Sequence, residues 1–147
     1  MTDEDYSSAM PCVSLVVVMD ARLVGHILFT RVTLRNASRQ LPASLLAPLA
    51  VLPEPQRKGI GSQLIEAGLR RLGSDGVELV FVLGYPDYYG RHGFLPAGRL
   101  GFDAPYPIPE AHADAWMVRE LKASIAATVR GQVVCARALD KEEYWRE

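Results

Sequence analysis

A short basic loop with two glycines is the part of this sequence best suited to hold an anion. Residues 56–62 read Gln-Arg-Lys-Gly-Ile-Gly-Ser, and they stand between an apolar run and an amphipathic helical pattern. The first N–H groups of a helix have no intrahelical partner, and the helix dipole favours negative charge there. Gly59 and Gly61 let a ligand approach the backbone closely, and Arg57 and Lys58 add positive charge. The loop therefore predicts a phosphate or pyrophosphate site.

Two common nucleotide motifs fit this loop poorly. A P-loop has a Lys followed by Ser or Thr after its second glycine, whereas here Lys58 precedes Gly59. A dinucleotide fingerprint needs a third glycine, and Leu64 stands in its place. A solvated strand-to-helix turn that binds nothing is a further alternative, because short motifs carry false positives.

Regular patterns surround the loop and predict a mixed α/β (α+β) fold. The stripe of Leu64, Ile65, Leu69 and Leu72 predicts a helix over residues 60–72 that ends at Gly73. Apolar, β-branched runs predict strands over residues 14–19, 23–34, 45–51, 77–83 and 115–121, with a last strand over 133–139 after a turn at 131–132. The first two strands form a hairpin, and the order strand, helix, strand around the loop indicates a parallel pair.

Two residues inside predicted strands indicate local irregularity. Gly25 marks a candidate bulge in the second strand. Pro48 cannot donate to a ladder, so we expect the strand of residues 45–51 to be open or bulged near it. The other interpretation is that Pro48 starts a shorter strand.

A second segment with chemical potential follows the strand of residues 77–83. Residues 88–94 read Tyr-Tyr-Gly-Arg-His-Gly-Phe, and we predict a short helix over residues 87–92 with Asp87 as its cap. Three prolines predict that residues 103–112 form an extended loop.

Composition bounds the class of protein. The 147 residues suit a single domain, with residues 1–12 as an arm and 140–147 as a tail. The net charge of -1 favours neither nucleic acid nor an anionic membrane as a partner. No apolar run is long enough to span a membrane, and Cys12 and Cys135 lack metal or redox spacing. Reduced thiols and the absence of a signal-peptide pattern predict a cytoplasmic protein without a metal.

The two segments together resemble the GNAT acetyltransferases. Gln56, Gly59 and Gly61 match the Q/R-x-x-G-x-G/A loop that holds the acetyl-CoA pyrophosphate in this family. The 88–94 segment is similar to the aromatic-Tyr-x-x-x-Gly-Phe segment found one strand downstream. The likeness runs from about Ser14 to Leu121 and is greatest to small bacterial YhbS-like members.

This resemblance implies a V-shaped, mostly antiparallel sheet, flanked by helices and splayed between residues 45–51 and 77–83. The pantetheine arm of acetyl-CoA would enter the gap and bond to the backbone of Leu49, Ala50 and Val51, as an added strand does. The pyrophosphate would lie on the amides of Arg57, Lys58, Gly59, Ile60, Gly61 and Ser62.

The implied reaction is direct transfer of an acetyl group from the thioester to a primary amine. Tyr89 is then the candidate general acid for the leaving thiolate, although it could bind the sulfur without proton transfer. Tyr88 is a packing residue, and Arg91 either reaches a cofactor phosphate or faces solvent. Glu54, Glu78 and His112 are candidate bases, with water as the other route. His26 lies within the second strand, where a packed or surface role is favoured.

One departure from the family concerns the amino end. The family opens with a strand and two helices, whereas only about a dozen residues precede Ser14. A shortened chain would expose a sheet edge that a second copy could cover, which leads to the expectation of a homodimer. The same departure leaves a second hypothesis open, a CoA-binding regulatory module without turnover. A third is a domain that binds another phosphate ligand.

Overall fold

We analysed a computed structural model that describes residues 13–53, 59–135 and Trp145. Its strands are β1 (Val13–Met19), β2 (Arg22–Arg35), β3 (Ala43–Val51), β4 (Leu79–Leu83), β5 (Leu95–Pro96), β6 (Phe102–Asp103), β7 (Trp116–Glu120) and β8 (Gly131–Val134). Its α-helices are α1 (Ile60–Ser74) and α2 (Pro86–Gly90), and short 3₁₀ helices span Gly98–Leu100 and Glu110–Ala115.

The predicted hairpin is confirmed as β1 paired antiparallel with β2. Asp20 and Ala21 form its two-residue turn, both with positive φ, at 52° and 59°. Such a turn matches the twist of the strands that it joins. Gly25 pairs with Val17 and Leu23 with Val18, which leaves Val24 as the extra residue of a bulge beside Gly25, as predicted.

The described strands form one sheet in the order β5-β7-β4-β3-β2-β8-β6, with β1 added to β2. Every pairing is antiparallel except β3 with β4 and β6 with β8. The mixed, mostly antiparallel sheet is therefore confirmed, as is the parallel pair around the loop.

The sheet opens between β3 and β4. The two strands pair only from Ala43 with Leu79 to Leu45 with Phe81, so the rest of β3 runs beyond their contact. Along the other side of β3, Ile27 pairs with Leu49 and Phe29 with Leu46, which places Ala47 and Pro48 opposite a single residue of β2. Pro48 thus lies at a bulge inside the strand, where its missing N–H is tolerated.

Helix α1 covers one face of the sheet. Its buried residues Ile60, Leu64, Ile65, Leu69 and Leu72 pack in one apolar cluster with Ile27, Phe29, Val80 and Val82. The helix approaches closely at Gly68, where a Cβ would overlap the Phe29 ring. On the opposite face, Leu79 and Phe81 pack with Phe102, Trp116 and Val118, as the two-residue period of a strand requires.

The carboxyl half contains several sequence predictions that were wrong, among them the cap of α2, which is Tyr85 rather than Asp87. Gly131 and Gln132 belong to strand β8 rather than to a turn, because they pair with β6 and β2. The proline-rich segment is not extended throughout, since a 3₁₀ helix begins at Glu110. Residues 136–139 of the predicted last strand, like the arm of residues 1–12, lie outside the described residues.

Candidate active site

A cavity of about 580 Å³ occupies the opening between β3 and β4. Leu46, Ala47 and Leu49 of β3 form one wall, and residues 82–86 with Tyr89 form the other. A third side comes from the 3₁₀ helix at Glu110–Ala115, through Ala111, His112, Asp114 and Ala115. The bulge and early separation of β3 therefore create a mainly apolar slot with polar groups at its rim.

Tyr89 is held in this wall by aromatic packing. Its ring lies edge-on to Tyr88 at 5.1 Å and to Phe94 at 5.7 Å between centroids. Gly84 makes room for the ring, since a Cβ there would overlap it. Burial, with a smaller contribution from Tyr88, raises the pKa of Tyr89 to about 12. The hydroxyl therefore keeps its proton throughout the neutral range and is a constant hydrogen-bond donor.

The described end of the basic loop forms the start of α1. Gly59 is the N-cap with φ of 73°, a left-handed conformation that favours glycine, and its carbonyl accepts a 3.0 Å bond from the Gln63 N–H. Ile60, Gly61 and Ser62 follow as the first helical residues, so their N–H groups precede the first intrahelical donor. Gln56, Arg57 and Lys58 lie outside the described residues.

Tyr88 joins this helix start to the cavity wall. A Cβ at Gly61 would overlap its hydroxyl, so the second glycine of the loop lies directly under the tyrosine. The Arg91 guanidinium lies 5.4 Å from the centre of the Tyr88 ring and is exposed. Tyr88 is therefore the packing residue that was predicted, and Arg91 has an aromatic contact that neither of its predicted alternatives included.

The backbone expected to bind a pantetheine arm belongs to the separated part of β3. Leu49, Ala50 and Val51 pair with β2 along one side, while the pairing of β3 with β4 ends at Leu45. Leu49 also lines the cavity, and Ala50 is exposed.

The candidate bases are in different places. His112 is exposed and lines the cavity with Tyr89. Glu78 instead bonds to Arg39 at 3.2 Å, with Lys122 at 3.6 Å, and the hydrogen bond from Arg39 lowers the pKa of its carboxyl. Glu78 is thus an ionised partner in a charge cluster outside the cavity lining. Glu54 lies outside the described residues.

Two polar residues beside the helix start, His92 and Glu66, were missed as site residues by sequence reasoning, and both belong to a hydrogen-bond chain with the predicted Ser62. The His92 ring bonds through Nδ1 to Glu66 Oε1 at 2.7 Å and through Nε2 to Ser62 Oγ at 3.2 Å. The sequence spacing suggests Arg70 as a partner of Glu66, whereas the structure gives it His92. The available signal was the four-residue spacing of Ser62 and Glu66, which places both on one face of the helix.

The similarity of the chain to known proteins decides the family to which it belongs. A sequence model of the acetyltransferase (GNAT) domain matches residues 5–97. YjhQ, an uncharacterized N-acetyltransferase of Escherichia coli strain K12, is 47% identical over 130 residues, which cover 88% of this chain and 71% of YjhQ. The chain belongs to the GNAT acetyltransferase family. The family resemblance of the two sequence segments is thereby confirmed.

Solved GNAT structures share the fold. The Escherichia coli GNAT protein YhbS, crystallised in complex with CoA, matches with a TM-score of 0.81 and 25% identity, over 93% of this chain and 73% of that one. A GNAT acetyltransferase of Brucella melitensis, in complex with acetyl-CoA, matches with a TM-score of 0.68 and 27% identity, over 92% and 72%. The splayed sheet is therefore the GNAT architecture.

The described residues contain no group of three or more His, Cys, Asp or Glu side chains placed to hold a metal ion. No helix among them combines the length and apolar character needed to cross a membrane.

Proposed function

We propose that this GNAT protein is an N-acetyltransferase that uses acetyl-CoA to acetylate a primary amine. The observation that carries the proposal is the cavity between β3 and β4, which has Tyr89 in its wall. Acetyl-CoA is the cosubstrate because the chain belongs to the family and similar structures hold CoA or acetyl-CoA.

Each part of the cofactor has a matching surface. The pyrophosphate binds at the start of α1, on Gly59, Ile60, Gly61 and Ser62 together with the neighbouring Gln56, Arg57 and Lys58. The pantetheine arm bonds to β3 at Leu49 to Val51 and occupies the apolar slot. The thioester then lies near Tyr89. Arg91 lies over the ring of Tyr88, whose hydroxyl is beside Gly61, and we propose that its side chain binds a cofactor phosphate.

The reaction forms one C–N bond and breaks one C–S bond. A neutral amine nitrogen attacks the thioester carbonyl, the thiolate leaves, and the amine loses a proton. Tyr89 donates a hydrogen bond to the leaving thiolate, and it would act as a full general acid only by giving up its proton. A thiol of ordinary pKa near 8.5 and a tyrosine of pKa about 12 differ by about 3.5 units, so complete proton transfer costs roughly 5 kcal/mol. Hydrogen-bond donation as the charge builds is therefore the main contribution of Tyr89.

The acceptor enters from the side of the 3₁₀ helix. His112 and Asp114 line the cavity there, and Asp114 is held by Arg99 at 3.1 Å. Since His112 is the described base candidate that lines the cavity, we assign it the removal of the amine proton, directly or through water.

Calorimetric titration with acetyl-CoA tests the cofactor assignment, with ATP and NAD as controls. We expect saturable binding of acetyl-CoA alone, and its loss when Gly59 and Gly61 are both replaced by leucine. At Gly59 a side chain strains the left-handed backbone, and at Gly61 it overlaps Tyr88. A folded wild-type protein that binds no acetyl-CoA would refute the proposal.

Tyr89→Phe separates an enzyme from a CoA-binding module, the second hypothesis. With an amine found by a thiol-release screen, we expect the variant to lose about 10²- to 10³-fold in kcat and to keep its affinity for acetyl-CoA. Tyr85→Phe is the matched control, since Tyr85 lines the same cavity but is 82% exposed. A wild-type protein that binds the cofactor and releases no thiol with any amine would favour the module.

Three further proposals concern the whole protein. We infer a single domain and a cytoplasmic location, both from the sequence. We also propose a homodimer in which a second copy covers β1, because the Val16 and Val18 side chains of this strand are 55% and 58% exposed. Sedimentation over a range of concentrations tests it.

A further inference from the structure

The hydrogen-bond chain Ser62–His92–Glu66 is assigned no role by the proposed function. His92 is only 9% exposed, and its ring is fixed between the first turns of α1 and the Tyr88 ring, 5.7 Å away. Its 2.7 Å bond to Glu66 is in the range of charge-assisted hydrogen bonds. We call these three side chains the His92 relay.

The two hydrogen-bond partners of His92 determine which of its ring nitrogens carries a hydrogen. An ionised Glu66 can only accept, so His92 Nδ1 carries a hydrogen. In a neutral ring Nε2 is then an acceptor and must receive the Ser62 hydroxyl hydrogen. The Ser62 side chain consequently offers only the lone pairs of Oγ to anything that binds at the start of α1.

A bound phosphate favours the opposite arrangement, in which His92 Nε2 donates and Ser62 Oγ accepts. If Nε2 gains a proton from solvent, it donates to Ser62 Oγ, and the Ser62 hydroxyl is released to donate to a phosphate oxygen. One proton enters, and no covalent bond other than N–H forms. The exchange replaces a lone pair facing an anion by a donor, and it places an imidazolium between the anion and Glu66.

We propose that His92 and Glu66 are positioning residues of the cofactor site, and that binding of the pyrophosphate draws one proton onto His92. The inference rests on the proposed function, because it takes the start of α1 as the phosphate site.

The charges around His92 are balanced, so a bound ligand can decide whether its ring takes up a proton. Glu66 on α1 favours the protonated ring. Arg119 on β7 donates to the His92 backbone carbonyl, and Arg91 lies over Tyr88, so two cations oppose it. The negative charge of a phosphate shifts this balance toward the imidazolium.

A purely structural relay is the alternative. The relay would then fix α1 against the end of α2, and breaking it would lower stability without any change in proton count. The number of protons taken up on binding therefore separates the two roles.

The test is calorimetric titration with dephospho-CoA at pH 7.5, in HEPES and in Tris. These buffers differ in ionisation enthalpy, so the difference in heat counts protons. Dephospho-CoA keeps the pyrophosphate and lacks the 3′-phosphate, whose own titration would confuse the count. We expect the wild type to take up part of a proton, and at most one, for each dephospho-CoA bound. The Kd for dephospho-CoA should then rise with pH in the same range, by at most about tenfold per pH unit.

His92→Gln keeps two hydrogen bonds but cannot titrate, so we expect binding with almost no proton uptake. Glu66→Gln changes a half-exposed position and should give an uptake well below that of the wild type. His26→Gln is the matched control, because His26 bonds to Ser14 at 2.9 Å but has no place in the relay. It should behave as the wild type.

Equal proton counts in the wild type and His92→Gln, with dephospho-CoA bound by both, would overturn the relay and leave the cofactor site standing. Failure of the folded wild type to bind either dephospho-CoA or acetyl-CoA would instead refute the cofactor site itself, and the relay with it.

Discussion

At the scale of single residues, His112 connects the cavity to the removal of the amine proton. It lines the cavity with Tyr89 and is the base that we assign to the acceptor amine. We expect His112→Asn to lower kcat/KM about 10²- to 10⁴-fold, while the affinity for acetyl-CoA is kept.

The control for this measurement is His26→Asn, which alters a histidine of β2 that does not line the cavity. Its kcat/KM should match that of the wild type. An unchanged kcat/KM in His112→Asn would show that water, rather than His112, carries the amine proton away.

The site residues differ in how far sequence could predict them. Tyr89 and the two glycines occur in short segments with fixed spacing, and such segments remain recognisable without a structure. His92 and Glu66 are 26 positions apart, and their contact depends on how α2 meets α1. Contact between distant segments leaves no local sequence pattern, so sequence reasoning paired Glu66 with Arg70 on the same helix.

At the scale of elements, alanine substitutions at two glycines of α1 test how tightly the helix packs on the sheet. A Cβ at Gly68 would overlap Phe29, which is fully buried, whereas a Cβ at Gly73 would meet nothing within 4 Å. We expect Gly68→Ala to destabilise the protein by about 1–3 kcal/mol through overpacking. Gly73→Ala should stabilise it by up to about 1 kcal/mol through helix propensity.

Urea denaturation of both variants measures these changes. The pair is matched, since the same methyl group is added to the same helix. A Gly68→Ala variant as stable as Gly73→Ala would show that Phe29 or the helix can move aside at little cost. The helix could then also shift at its first turn, where the cofactor phosphates are proposed to bind.

Elements were predictable where local chemistry determines them. The Pro48 irregularity, the Gly25 bulge and the α1 stripe follow from the residue itself or from a simple period, and all three occur in the structure. Gly131 and Gln132 carry a local turn signal, yet they form β8 because β2 and β6 offer partners. Pairing with strands distant in sequence overrides that signal.

At the scale of the whole molecule, the site is a consequence of an incomplete sheet. The contact of β3 with β4 holds the two halves together at Ala43–Leu45, and its early end creates the cavity. Apolar clusters pack on both faces of the sheet. The opening is therefore built into the fold, and a ligand need not separate packed strands to enter it.

Tyr89 couples this cavity to the stability of the whole protein at alkaline pH. Its pKa is raised from an ordinary 10 to about 12, so ionisation favours the unfolded chain between these values. The stabilising contribution is complete below pH 10 and is lost as pH rises toward 12. Between pH 9 and pH 11 this one group should lower the free energy of unfolding by about 1.4 kcal/mol.

Urea denaturation at pH 9 and pH 11 measures this loss against that of two variants. Tyr89→Phe cannot ionise, so its stability should fall by about 1.4 kcal/mol less than that of the wild type over the same interval. The free energy of unfolding of Tyr85→Phe should fall as much as that of the wild type, because the exposed Tyr85 side chain is hydrated in both the folded and the unfolded state. Equal falls in all three proteins would mean that water reaches the Tyr89 hydroxyl freely. The donor to the thiolate would then work in a solvated site, where a hydrogen bond to a developing charge is much weaker.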